Sequence, residues 1–262
     1  MFFKLAHKKG ISLYLDAQLK VTVGQCSDAG KKQQNEDCIG VRIPDQPALT
    51  VKGIVAVIAD GVSAAEAGKE ASETCVRNFI SDYYGTPDAW SVKTAGQKIL
   101  SALNRWLVGQ SQIKGHVSTL STLILKSQQA YIFHVGDTRI YRLRGDHFEC
   151  LTQDHCTIIN KDTTYLSRAM GMDSRLEMDF RQLELEQGDT FFLSTDGIHD
   201  FISEKNIHHI IRNHQGDFES TCAHLIQVAL ESGSEDNLSC QLIRVDALPS
   251  ADTQDIYNRL SD

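Results

Sequence analysis

The chain has 262 residues, 41% hydrophobic and 23% charged, the composition of an ordinary globular protein with a sizeable core. Its formal net charge of −8 argues against nucleic acid or an anionic membrane as the main partner. The seven cysteines include no Cys-x-x-Cys pair, which leaves no zinc or redox motif and fits reduced thiols in a cytoplasmic protein.

No apolar run approaches membrane-spanning length, and residues 1–15 carry lysines but no signal-peptide core. Residues 11–25 alternate loosely and predict one or two strands. The polar stretch 27–37 reads as a loop, followed by a short strand at 38–43. Pro44–Gln46 then turns the chain into the apolar run at 51–59. Ser63, with Glu66 three residues on, reads as the capping box of a helix. Ala67, Ala71, Cys75, Phe79 and Tyr83 would form its buried face. Gly85, Pro87 and Asp88 end it. A second helix is expected at 89–111, with Ala95, Ile99, Ala102 and Trp106 on one face and Trp90 and Trp106 in the core.

Strands then dominate, at 119–126, 130–136, 139–144, 147–150, 180–185 and 190–195. Helices are expected at 206–213 and 217–231, before a last strand at 238–245. Helix pairs segregated between groups of strands point to an α+β layered sandwich, not a wound βαβ sheet. Residues 1–245 read as one domain and 246–262 as a linker-like tail.

Three apolar runs end on an aspartate with a glycine neighbour: Asp60 before Gly61, Asp137 after Gly136, and Asp196 before Gly197. Asp200 follows four residues after Asp196, and Asp236 precedes the last strand. One Asp-Gly pair is an ordinary turn. Repeated carboxylates at the ends of buried strands are costly unless positive charge meets them. If they converge, they make an oxygen cage for Mg²⁺ or Mn²⁺, and paired ions activate a water for attack on phosphorus. The scattered histidines show no metal-ligand spacing. Ser121 and Thr122 lie in a strand pattern and are not read as nucleophiles.

The motifs Asn35-Glu-Asp37, Ala59-Asp60-Gly61, Ser121-Thr122, Val135-Gly-Asp-Thr-Arg139, Leu151-Thr-Gln-Asp-His155, Leu166-Ser-Arg-Ala-Met-Gly171, Ser194-Thr-Asp-Gly-Ile-His-Asp200 and Glu235-Asp-Asn237 occur in this order. Together they resemble the metal-dependent protein phosphatases of type 2C, over about residues 20–245. The resemblance implies a four-layer α-β-β-α sandwich, with two packed, mainly antiparallel sheets flanked by helix pairs. It implies hydrolysis of phosphoserine and phosphothreonine in phosphorylated proteins. It also implies roles: Asp60 bridges two ions, with the Gly61 carbonyl on one. Asp196 and Asp236 hold the first ion, and Glu36 and Asp37 serve the second. Asp137, Asp196 and Asp200 form a weaker third site, and Asn237 supports the centre. Asp60, Asp196 and Asp236 are thus the catalytic candidates.

Three departures from the family pattern stand out. The loop Gly30-Lys-Lys-Gln-Gln-Asn35 lacks the usual phosphate-gripping arginine, leaving Lys31 or Lys32 as a point charge. Val62 and Ser63 stand where many relatives have a histidine acid; His199, between Asp196 and Asp200, reads as a packing residue. The flap at Cys156–Tyr165 is short. An alternative reading is therefore a pseudophosphatase kept as a regulatory interaction module. The short loops and the run 82–94 resemble a bacterial subgroup in which the phosphatase precedes a serine/threonine kinase on one polypeptide, so that kinase joins the expected partners.

Overall fold

Alternate residues of one strand face different cores, which is what gives the molecule its layers. The structure is a computed structural model, and it describes residues 18–62, 65, 67–160, 163–213 and 217–249. Its strands are β1 (Lys20–Asp28), β2 (Asp37–Arg42), β3 (Ile54–Asp60), β4 (Leu120–Lys126), β5 (Gln129–Val135), β6 (Arg139–Arg144), β7 (His147–Cys150), β8 (Cys156–Asn160), β9 (Thr163–Leu166), β10 (Asp179–Glu184), β11 (Thr190–Ser194) and β12 (Leu238–Ala247). Its helices are α1 (Ala48–Lys52), α2 (Gly68–Gly85), α3 (Val92–Lys114), α4 (Asp196–His199), α5 (Glu204–Asn213) and α6 (Phe218–Glu231).

One sheet runs β1-β12-β11-β6-β7 and the other β10-β5-β4-β3-β2, while β8 and β9 form a separate hairpin. All pairings are antiparallel. On β3, Val55, Val57 and Ala59 pack with α2 and α3. Ile54, Ala56 and Ile58 pack instead against Phe191, Leu193, Ile243 and Val245 of the opposite sheet. The outer face of that sheet, through Phe192, Cys240 and Leu242, meets Ile207, Ile211, Cys222 and Leu225 of α5 and α6. The result is the expected α-β-β-α sandwich. Burial on both faces explains why β3 reads as an unbroken apolar run and not as an alternation.

Several expectations are corrected. Helix α2 begins at Gly68, and its N-cap, Ala67, makes no side-chain cap bond. Ser63 and Glu66, read as a capping box, lie outside the described residues. The later start has a steric cause: a Cβ on Gly61 would come within 2.3 Å of the Gly68 carbonyl oxygen, so the backbones meet where the helix begins. Helix α3 starts at Val92 and is turned from the expected face: Ala102 and Trp106 are exposed. The buried row is Ala95, Ile99, Leu100, Leu103 and Leu107, because those leucines offer more apolar area to the sheet. Trp90 packs partly against the same core.

Strand β1 continues through Ser27 and Asp28, which had read as loop, and residues 11–17 lie outside the described set. Helices α1 and α4 were not anticipated, and the short flap is the hairpin β8–β9. The linker-like tail lies outside the described residues from 250 onward. No helix among the described residues is long and apolar enough to cross a membrane.

Candidate metal centre

The pairing of β2 with β3 sets Asp37 directly across from Asp60. The backbone of Asp60 is held by the start of β4. Its N–H donates to Thr119 Oγ1 at 2.9 Å, and its carbonyl accepts from Thr119 N at 2.8 Å and Ser118 Oγ at 2.9 Å. With the backbone satisfied, the side chain projects from the strand end. The next residue, Gly61, donates its N–H to Glu36 O at 3.1 Å, and any Cβ there would strike Gly68.

Asp137 follows Gly136, whose φ of +112° lets the chain leave β5 beside Thr119 as few other residues would. Asp196 is the first residue of α4, and one turn later Asp200 N–H donates to Asp196 O at 3.0 Å.

Hydrogen bonds between distant segments draw these strand ends together. Thr195 Oγ1 donates to Asp37 Oδ2 at 3.0 Å and accepts from Ser239 N at 3.1 Å. Asn237 Oδ1 accepts from Glu36 N at 2.9 Å, while its Nδ2 donates to Ala29 O and Gln34 O at 2.9 and 3.0 Å. Asn237 thereby ties the 29–36 loop to the start of the last strand.

The carboxylates feel one another strongly. Burial, then the charges of Asp37, Asp196, Asp137 and Asp236, hold the Asp60 carboxyl well above the usual range. Asp196 is raised by burial, then by Asp137, Asp236, Asp200 and Asp37. Burial, then Asp154, raises Asp137, and burial raises Asp37 despite its hydrogen bonds to Ser239 and Thr195. Asp37, Asp60, Asp137, Asp196, Asp200 and Asp236 thus lie within electrostatic reach of one another. The Glu36 carboxylate lies at the start of α2, its Oε1 3.2 Å from where a Cβ on Gly68 would stand.

The two lysines diverge. Lys32 is ion-paired with Asp236. Burial lowers its pKa, but Asp236, Asp60 and Asp196 outweigh that and raise it. Lys31 is exposed and pairs with Glu235 at 3.2 Å, so the structure does not bring it into the pocket.

The donor set fits a hard divalent cation. Asp37 Oδ1 and Asp196 Oδ1 are shut off from solvent with no hydrogen-bond partner, a costly state that a cation would relieve. Among the described residues, no three His, Cys, Asp or Glu side chains form a ready-made ligand group. The carboxylates do not close on a point, and ions that retain several waters suit such an open arrangement.

The histidines are engaged elsewhere. His199 Nδ1 lies 2.9 Å from Ser194 Oγ, with burial lowering its pKa to about 3. His134 contacts Ser121 Oγ and Gln153 O at 2.8 and 3.0 Å. Both are packing residues, and Ser121 is fully buried.

Sequence reasoning missed Thr195, Ser239, Ser118 and Thr119 as supports of the centre. Hydroxyl residues immediately before Asp196 and two positions after Asn237 were the available signal. It also missed Cys156, whose thiol donates to Asp137 Oδ2 at 3.7 Å. Burial, then Asp137, pushes that thiol up to about 12.

A family model described as protein phosphatase 2C matches residues 27–243. A serine/threonine phosphatase of Listeria monocytogenes is 28% identical over 246 residues, covering 84% of this chain and 94% of the relative. A protein phosphatase of Streptococcus pneumoniae is 25% identical over 238 residues, covering 83% and 94%. The crystal structure of a serine/threonine phosphatase from Staphylococcus aureus is similar in fold, with a TM-score of 0.77 at 21% identity over 93% of this chain and 99% of that one.

Proposed function

This chain belongs to the protein phosphatase 2C family, and from that premise we propose that it hydrolyses phosphoserine and phosphothreonine in proteins through a divalent-metal centre at the strand ends. Proteins of this family depend on metal. The observation that carries the reading is the convergence of Asp37, Asp60, Asp137, Asp196 and Asp236 around one pocket, with buried carboxylate oxygens left unpartnered.

In this reading the centre takes Mg²⁺ or Mn²⁺. Asp60 would serve both of two ions and the Gly61 carbonyl one of them, Asp196 and Asp236 would hold the first, and Glu36 and Asp37 would serve the second, directly or through water. Asp137, Asp196 and Asp200 hold a third. Bound there, such ions lower the pKa of water and neutralise charge on the phosphoryl group.

The remaining roles fall to side chains of this chain. Lys32, already within the field of Asp60 and Asp196, supplies the positive charge for phosphate oxygens. It does so as a mobile point charge, not as a planar fork. Thr195 orients Asp37, and Asn237 fixes the loop that carries Lys32. Among the described residues no histidine stands ready as an acid, so the serine or threonine oxygen would take its proton from water as the phosphorus–oxygen bond breaks.

The intact acidic set argues against a pseudophosphatase, since retaining it without a cation costs stability. The finer reading of partners, a serine/threonine kinase on the same polypeptide, rests on the resemblance of residues 82–94 and the tail. A reading frame running past Asp262 into a kinase catalytic loop supports it, and a stop codon there counts against it.

The test of function is release of phosphate from a phosphothreonine peptide with Mn²⁺, and its loss with chelator. Equal release in both, or none in either, sinks the assignment.

A further inference from the structure

Two motifs of the chain, Leu151-Thr-Gln-Asp-His155 and Leu166-Ser-Arg-Ala-Met-Gly171, supply none of the residues assigned to the acidic centre. They meet at His155, a residue only 6% exposed. Its Nδ1 accepts the backbone N–H of Gly136 at 3.1 Å, and its own N–H donates to Gly136 O at 2.8 Å. A backbone N–H can only donate, so Nδ1 is bare and the ring proton sits on Nε2. Nε2 lies 3.3 Å from Asp179 Oδ2, an acceptor for that proton. Arg168 Nη1 comes within 3.4 Å of Nε2 and 3.5 Å of Asp179 Oδ1; with Nε2 protonated, the guanidinium donates to the carboxylate. Ser167 N–H donates to His155 O at 2.8 Å, which joins the two ends of the flap at the same residue.

These bonds bracket Asp137 in the chain. Gly136, just before it, stands beyond Val135, the last paired residue of β5, at a φ of +112°. The strand ladder does not hold that peptide, and His155 does. Arg139, two positions after Asp137, makes a forked pair with Asp154, its Nε 3.0 Å from Oδ1 and its Nη2 2.6 Å from Oδ2. We propose that His155 is a positioning residue: oriented by Asp179, it fixes the Gly136 peptide and so sets where Asp137 presents its carboxylate to a cation. The inference rests on the reading of Asp137 as a ligand of the third ion. His155 touches neither cation nor substrate and moves no proton. Partners that orient a ligand in this way cost about 10–100-fold in metal affinity when removed.

The test is Mn²⁺ titration calorimetry on the full chain, stripped of metal, as wild type, Asp137→Asn, His155→Leu and His155→Asn. Asparagine carries an oxygen near the place of Nδ1, and leucine carries none. His155→Leu should weaken, by about 10–100-fold, the same Mn²⁺ step that Asp137→Asn weakens, and should spare the others. His155→Asn should restore that step. The double variant Asp137→Asn with His155→Leu should bind no worse than Asp137→Asn alone, because a residue acting through Asp137 then has nothing to act on. Unchanged affinity in His155→Leu, equal weakening of every step, or losses that multiply in the double variant overturns the proposal. If His155→Leu does not fold by circular dichroism, Asp179→Ala, at a half-exposed side chain, decides: it should weaken the same step, and an unaltered step overturns the proposal. Mn²⁺-dependent turnover with binding indifferent to His155 sinks this inference alone. The expected binding pattern without turnover in the wild type upholds it and sinks the phosphatase reading.

Discussion

In the proposed centre, Asp60 trades stability for chemistry. Without metal, its folded pKa lies above the unfolded one. The stability linked to its proton is then present at acid pH and lost as pH rises from the usual carboxylate range through the folded pKa. Asp60→Asn should therefore melt a few degrees above the wild type at pH 7.5 in chelator, read by calorimetry. Its phosphatase activity should fall by at least about a hundredfold, since even supporting residues at metal sites cost up to that. Asp196→Asn should behave alike; wild-type turnover in either variant would refute the assignment.

Thr195 offers a finer probe. Its hydroxyl holds Asp37 Oδ2 at 3.0 Å, and valine removes the hydroxyl at nearly constant shape. Thr195→Val should weaken Mn²⁺ binding by about 10–100-fold by titration calorimetry, with unchanged affinity showing that Asp37 needs no such support. Thr195 stands in plain view before Asp196 in the chain. Its role was still illegible, because the residue it serves is 158 positions away.

At the scale of elements, close contacts between helices and sheets set the geometry of the strand ends. Helix α3 crosses β5 at Gly96, where a Cβ would lie 2.2 Å from Phe133 Cζ. Alanine there gains about 1 kcal/mol of helix propensity. The overpacking penalty of about 1–3 kcal/mol should outweigh it, because Phe133 is fully buried and has nowhere to go. Gly96→Ala should lower the urea midpoint, and a raised midpoint would show that α3 shifts freely on the sheet. The turned face of α3 is also an element-scale matter. Several apolar stripes overlap in Val92–Lys114, and periodicity could not choose among them. Packing against β4 and β5 favoured the leucine stripe and left Trp106 at 48% exposure.

For the whole molecule, the pocket joins the ends of both sheets, so a cation there should brace the sandwich. Mn²⁺ at a hundred times its dissociation constant adds about 2.7 kcal/mol to stability. At about 2–4 °C per kcal/mol for a domain of this size, the melting temperature should rise by about 5–10 °C and fall back in chelator. A melting temperature indifferent to Mn²⁺ would detach the carboxylates from metal altogether.

The layered architecture and the acidic residues were legible in the chain because both are local signals. A strand buried on both faces must be apolar throughout, and its solvent end is where a carboxylate becomes tolerable. The sandwich and Asp60, Asp137, Asp196 and Asp236 therefore stood out without coordinates. What folding alone decided depends on contacts across the chain. Lys32, and not Lys31, turns to the pocket; Asn237 clasps Glu36 from 201 residues away; and Cys156 comes to rest beside Asp137. Periodicity records which side of an element is buried, but not which distant neighbour it meets there.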